Sequence, residues 1–251
     1  MSESARSGPD PLPATVVPEA HARELLTEGE IEVLGRIPWA SNATLLAEVS
    51  HGGLNGLGIY KPARGERPLW DFPTGTLYRR EVAAYLVSEA LGWGLVPLTV
   101  VREGPFGVGS VQLYVEADPD VTAFDLLAAE HPSLPRIAAF DVVVNNADRK
   151  AGHCLHALDG RVWAIDHGVC FHTEPKLRTV LWDLAGQPLG SDAVADLERL
   201  SATIRGEPDG RLGALLEPGE LEAVARRAAR LSRTAALPSP GPGRPYPWPL
   251  V

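Results

Sequence analysis

The sequence predicts an α+β chain in which a β-rich amino-terminal lobe precedes an α-rich carboxyl-terminal lobe. Three observations carry this prediction. Short β-branched or apolar runs punctuated by glycine and proline crowd residues 30–61, and helix-period apolar spacing dominates after residue 120. Between them lies a polar turn, Ala117-Asp118-Pro119-Asp120, where the character of the chain changes.

Taken in order, the first 18 residues carry Pro9, Pro11, Pro13 and Pro18 with little apolar content, and are read as a disordered tail because they cannot offset the entropy of ordering. Glu30 to Ile37, Ala43 to Val49 and Leu57 to Lys61, broken by Pro38, Gly52, Gly53 and Gly56, predict a meander of antiparallel strands. Thr76 to Leu91 places Leu77, Val82, Tyr85, Leu86 and Leu91 at mixed three-and-four spacing before Gly92, the pattern of an amphipathic helix with a glycine stop. Val96 to Val101 and Val108 to Val115 return to strand, so the β-rich lobe spans residues 19–116 with a hinge near Glu116 to Asp120. In the α-rich lobe, residues 117–237, Val121 to Glu130, Pro135 to Val144, Ala193 to Ile204 and Pro218 to Ala236 read as helices, with a short strand at Val162 to Ile165. The last 14 residues hold six prolines, a density that excludes helix and central strand. They read as an extended arm packing Tyr246 and Trp248 or as a loose end, the loose end being preferred.

Composition bounds the function. With 251 residues, 45% hydrophobic and 22% charged, the chain can bury a sizeable core, which excludes a wholly disordered, collagen-like or disulfide-stapled protein. A net charge of −9 and a pI near 5.3 exert no general pull toward nucleic acid or anionic lipid, although a local basic patch remains open. No apolar run approaches the roughly 18 residues of a membrane span, and the amino terminus lacks a secretory apolar core. The expected address is the cytoplasm, without integral membrane association. Two cysteines, Cys154 and Cys170, suit a reducing compartment.

The stretch from Phe140 to Phe171, FDVVVNNADRKAGHCLHALDGRVWAIDHGVCF, is the most informative. Asp148 and Asp166 each end an apolar segment beside small or turn-forming residues. Between them, Cys154 to Leu158, the turn Asp159-Gly160 and Arg161 to Ile165 read as a hairpin, which returns the two aspartates to the same end. That placement serves a reaction in which one carboxylate orients a hydroxyl and the other holds a metal on phosphate oxygens.

These motifs carry a resemblance. NNADRKAGHCL followed by AIDHG resembles the catalytic loop and metal-binding motif of the phosphatidylinositol 3- and 4-kinase superfamily, especially its type II 4-kinase and HipA-like branches. Upstream, Ile59-Tyr60-Lys61-Pro62 is similar to the strand bearing the phosphate-contacting lysine, and Tyr78 to Tyr85 to the helix whose glutamate, here Glu81, holds that lysine. The resemblance spans roughly residues 30–185 with four motifs in the right order. It implies a protein-kinase-like bilobal fold and an ATP-dependent phosphotransferase using Mg2+ or Mn2+ on an unidentified hydroxyl acceptor. Lys61 would meet the nucleotide phosphates and Glu81 would hold it; Asp148, with its companion Arg149, would orient the acceptor; Asp166 would hold the metal. Ser41, Asn42 and the hinge residue Glu116 would join Lys61 in binding the nucleotide.

The departures from that pattern shape the alternatives. His153 stands where these kinases place a metal-binding asparagine, which favours manganese or removes a second ion. There is no glycine-rich GxGxxG, and the turn from Pro38 to Ala43, with the Ser41 hydroxyl and backbone amides, would take its place. The triplet after the hairpin is Asp166-His167-Gly168. A pseudokinase that binds nucleotide without transfer, and AMP transfer by the same fold, therefore stand beside phosphoryl transfer. Without amphipathic anchor or polybasic run, a soluble acceptor is preferred. Lys176 and Arg178 would contact an acidic acceptor or form a solvated edge.

Residue by residue, plainer readings compete. Lys61 and Glu81 alone are an ordinary lysine and a solvated helix charge, Asp148 and Asp166 alone can close turns, and Asn146 serves structure or function equally well. His153, His156, His167, His172 and both cysteines fall close enough to suggest zinc, but neither CxxC nor HExxH occurs and the cysteines read as small buried residues.

Overall fold

A computed structural model describes residues 19–38, 42–206 and 209–251 of the chain. The expected amino-terminal tail and Ser41 lie outside the described residues. The fold begins with helix α1, Glu19–Glu28, followed by strands β1, Glu30–Arg36, β2, Leu45–His51, and β3, Leu54–Pro62. Helix α2, Leu77–Leu91, separates these from β4, Thr99–Gly104, and β5, Gly107–Leu113. The five strands form one antiparallel sheet in the order β1-β2-β3-β5-β4.

Alternation along β3 explains how the sheet serves a site. Gly56, Gly58, Tyr60 and Pro62 turn to one face and are buried, whereas Ile59 and Lys61 turn to the other. Leu45 and Val49 of β2, Tyr60, Val100 and Val111 pack with Leu25 and Leu26 of α1 into a small core on that first face. Helix α1 was not anticipated. Its signal is short, Ala22, Leu25 and Leu26 at helical spacing, and it is the sheet that gives this face something to bury against.

The α-rich lobe contains α3, Ala123–Ala128, α4, Leu134–Val144, the hairpin strands β6, Cys154–His156, and β7, Val162–Ala164, then α5, Ser191–Gly206, the short α6, Gly210–Gly213, and α7, Pro218–Thr234. Its core joins α4, α5 and α7, and it also takes in Ala83 to Leu91 of α2. Twelve of the fifteen residues of α2 are buried, so this helix is packed on nearly all sides and is not the one-faced helix its spacing suggests. It ends at Gly92, whose left-handed conformation (φ 70°) accounts for the glycine stop.

The carboxyl-terminal arm is ordered by its backbone. The Pro245 carbonyl accepts hydrogen bonds from the Thr179 amide (3.1 Å) and the Trp182 indole (2.8 Å), and the Leu250 carbonyl accepts from the Ala151 amide (2.8 Å). The expectation of a loose end is thus corrected. Pro247 is the buried residue, while Tyr246 and Trp248, which the alternative of a packed arm would bury, are exposed. Proline-rich chain lacks amides to pair with itself, but its carbonyls remain free to accept from a neighbouring surface. Among the described residues, no helix is long and apolar enough to cross a membrane.

Candidate active site

The cleft between the lobes is built around Lys61. Its ammonium lies 2.5 Å from Glu81 Oε1 on α2 and 3.0 Å from Asp166 Oδ1, just past β7. Asn42, Thr44 and Glu66 line the same cleft with Leu77, Tyr78 and Gly168. The chain brings residues 42–44 over Lys61 by a close backbone approach: the Ala43 amide donates to the Gly65 carbonyl (3.1 Å), and a Cβ at Gly65 would sit 2.3 Å from that of Ala43. Asn42 Oδ1 accepts from the Arg67 amide, which fixes the loop from its other side.

Asp166 itself sits at φ 60°, an uncommon backbone state for aspartate. Its neighbours impose it. The Ile165 carbonyl accepts from Arg149 (2.7 Å), the Ile165 amide donates to the His153 carbonyl (3.0 Å), and the His167 amide donates to Glu81 Oε2 (2.9 Å). Desolvation at its half-buried position would by itself raise the Asp166 carboxyl, but Lys61 and the neighbouring histidines outweigh it and hold it well below the usual range. The same balance holds Lys61 protonated: burial disfavours the ammonium, yet Asp166 and Glu81 raise it above its ordinary value. Glu81 is raised by burial, against the pull of Lys61.

His153 bridges the two expected aspartates. Its Nε2 lies 3.3 Å from Asp166 Oδ2, and its Nδ1 lies 3.1 Å from the Asp148 carbonyl. Burial, aided by Arg149, Lys150 and Lys61, pushes its pKa down to about 4, so the ring is neutral at pH 7 with a lone pair available. The Asp148 carboxylate pairs with Lys150 Nζ at 3.2 Å. Burial raises it, against Lys150 and Arg178.

Arg149 occupies a different place from the cleft residues. It is fully buried, and its guanidinium is shared among Asp141, the His153 and Ile165 carbonyls and the His167 ring. The expected catalytic companion of Asp148 is therefore corrected to a scaffold: a guanidinium with its donors taken by buried partners does not reach a substrate. Asn146 belongs to the same scaffold, donating to Asp141 Oδ1 (3.0 Å) and accepting from the Asp148 amide (2.9 Å). Asp141 escaped the sequence reading. Its signal is a carboxylate inside the otherwise apolar helix segment Ile137 to Val144.

Glu116 does not join the site. It is exposed in the connection between lobes, its carbonyl accepting from the Leu158 amide (3.4 Å), and it is absent from the cleft lining. The hinge pairs instead through Ala117, which bridges Ala157 just after β6. The histidine and cysteine cluster likewise disperses. His156 stacks edge-on with His131, His172 with Phe72, and both cysteines are buried and free. Among the described residues, the ligand atoms of Glu24, Glu28 and His51 converge instead, on an exposed surface far from these motifs in sequence. Lys176 pairs with Asp71 at 2.9 Å and stacks on the exposed Trp70, so it is an inter-segment tie.

Protein Rv2133c of Mycobacterium tuberculosis is 41% identical over 273 residues, covering 95% of this chain and 98% of its own length. The chain belongs to the Rv2133c family. A second relative of this family member, phosphatidylinositol 4-kinase gamma 4 of Oryza sativa subsp. japonica, is 30% identical over 145 residues. That match covers 49% of the chain and 26% of the rice protein. Among solved structures, the Golgi casein kinase with Mn/ADP bound superposes with a TM-score of 0.54 at 13% identity, over 85% of this chain and 74% of that one. No family model matches. The fold is a kinase-like, bilobal α+β fold, as the motif order implied.

Proposed function

We propose that the protein is an ATP-dependent phosphotransferase that moves a phosphoryl group to a hydroxyl acceptor. The observation that carries this reading is Lys61 held between Glu81 and Asp166, 2.5 Å and 3.0 Å away. A fixed cation of this kind, bracketed by two carboxylates at the mouth of a cleft, suits the β- and γ-phosphates of a nucleotide, and Asn42 and Thr44 line the cleft above it. The relationship to a rice phosphatidylinositol 4-kinase over half of the chain supports the reading, as does a common fold with a kinase solved with manganese and ADP.

In this reading the residues divide the work. Lys61 balances phosphate charge and Glu81 holds its flexible stem in place. In this proposal the Asp148 carboxylate orients the acceptor hydroxyl and takes its proton as the oxygen bonds to the γ-phosphorus and the bond from that phosphorus to the β–γ bridging oxygen breaks, ADP carrying that oxygen away. Asp166 Oδ2 and His153 Nε2, 3.3 Å apart, fit a divalent cation, and this oxygen-and-imidazole pair suits manganese better than magnesium. Bound there, the ion supplies charge neutralisation at the phosphates. Asn42, which lines the cleft with Lys61, and Ser41, which precedes it in the chain, would help hold the nucleotide.

The test is titration of purified protein with ATP and with magnesium or manganese, following thermal stabilisation together with ADP and AMP release, against Asp166→Ala. Saturable, metal-dependent stabilisation and slow ADP release, both lost in the variant, are the expected result. AMP release replaces phosphoryl transfer by nucleotidyl transfer. Stabilisation without release reduces the protein to a nucleotide-binding pseudokinase.

A further inference from the structure

Helix α2 carries two adjacent charged residues that leave it in different directions. Successive helical positions are about 100° apart, so Glu81 turns toward Lys61 while Arg80 turns toward the helical lobe. The Arg80 side chain is 4% exposed. One of its terminal nitrogens lies 2.6 Å from Glu220 Oε1, the other donates to the Cys170 carbonyl at 2.7 Å, and the guanidinium carbon sits 4.9 Å from the centre of the Phe72 ring. Glu220 is itself anchored, since its Oε2 accepts from the Glu217 amide (3.0 Å) and so caps α7.

One guanidinium thus ties together four pieces of chain: α2, the segment that follows Asp166, the β3–α2 connection and the first turn of α7. Arg80 is not part of the cleft lining. Moving α2 away from Lys61 would separate Arg80 from Glu220 and leave two buried charges without partners, which is strongly unfavourable.

We infer that Arg80 is a positioning residue: through Glu220 and the Cys170 carbonyl it holds α2 where Glu81 meets both Lys61 and the His167 amide, so that the ion pair stands ready without a ligand. The placement of α2 follows from the contacts alone. Its consequence for turnover rests on the phosphotransfer reading above.

The test uses Arg80→Met/Glu220→Gln, which removes both charges together and keeps an acceptor for the Glu217 amide. The readout is hydrogen exchange at the His167 amide, whose bond to Glu81 Oε2 reports the position of α2 without reference to activity. Exchange there is expected to quicken by about ten-fold or more, while amides of α5 and α7 stay protected. In ATP turnover, kcat should fall on the order of ten- to a hundred-fold with little change in KM, as a misplaced group does. Unchanged protection at His167 in the folded double variant overturns the inference, whatever the activity. Where the double variant does not fold, Glu220→Gln alone keeps the α7 cap and gives the same reading: faster exchange is expected, and unchanged exchange overturns it. Faster exchange in the variant, with no turnover by the unaltered chain, leaves the positioning intact and removes the phosphotransfer reading instead.

Discussion

Lys61 on β3 and Asp166 beyond β7, 105 residues apart in sequence, meet with Nζ 3.0 Å from Oδ1. The contact crosses from the sheet to the helical lobe, so it forms only when both lobes are folded and correctly apposed. Asp166 keeps 44% of its side chain exposed, and Lys61 retains Glu81 when it is removed. Asp166→Ala is therefore expected to melt within a few degrees of the parent while losing on the order of a hundred- to thousand-fold in turnover. Calorimetry and ADP release on one preparation check both halves, and parent-like turnover would defeat the assignment.

Removing Lys61 has a different cost. Lys61→Met leaves the Glu81 carboxylate, 4% exposed, without its cation, and a buried pair broken on one side typically loses about 3 kcal/mol or more. The double variant Lys61→Met/Glu81→Gln should recover most of that stability and none of the turnover. Denaturant midpoints of the two singles and the double, treated as a cycle, measure the coupling.

Arg149 and Asp148 are neighbours with opposite expectations. Arg149→Lys keeps the charge but cannot serve Asp141, two carbonyls and the His167 ring at once, so a loss of about 3 kcal/mol or more in unfolding free energy is expected. Asp148→Asn should fold normally, because among the described residues the carboxylate has Lys150 as its one ion-pair partner, and should fail in turnover with nucleotide binding preserved. Equal stability of the two variants would contradict the scaffold role of Arg149.

The carboxyl-terminal arm should matter to the segments at Ala151 and Thr179 although it lies far from them in sequence. Ending the chain after Arg244 deletes the carbonyls that accept from Thr179, Trp182 and Ala151. Each such bond contributes about 1 kcal/mol. Amide exchange at Ala151 and Thr179 should accelerate, with nucleotide-dependent stabilisation retained. Unaltered exchange at both amides would show that the arm is passive.

Both thiols are expected to be silent in the native protein. Burial raises Cys154 to about 11 and Cys170 well above its ordinary value, so little thiolate exists at pH 8. A chromogenic disulfide reagent should titrate neither until denaturant is added. Rapid native labelling of either would show that the helical lobe opens easily.

How much of this was legible depends on the range of the interaction. The strands of the meander, the glycine stop of α2 and the Asp159-Gly160 hairpin are local patterns, set by backbone preference and apolar period within a few residues, and they stand as read with ends shifted by at most three positions. The order of Lys61, Glu81, Asp148 and Asp166 carries the kinase-like fold for the same reason: recurring motifs keep their spacing. Helix α1 is only ten residues long and is stabilised by the sheet beneath it, so its own sequence carried a weak signal.

The sequence by itself determined the fold class, the lobes' composition and the set of charged residues available to a site. Tertiary structure alone decided which of those charges face a cleft. Arg80 and Glu81 are adjacent and similar on paper, yet one reaches Glu220, 140 residues away, and the other Lys61. Arg149 and Asp148 divide in the same way, one fully buried against Asp141 and the other partly exposed and paired with Lys150. Glu116, placed at the hinge by its position in the chain, turns to solvent, while Asp141, hidden in an apolar helix, anchors Arg149. The physical reason is that a charge is stable in the interior only where distant segments deliver its partners, and the delivery depends on the packing of the whole chain.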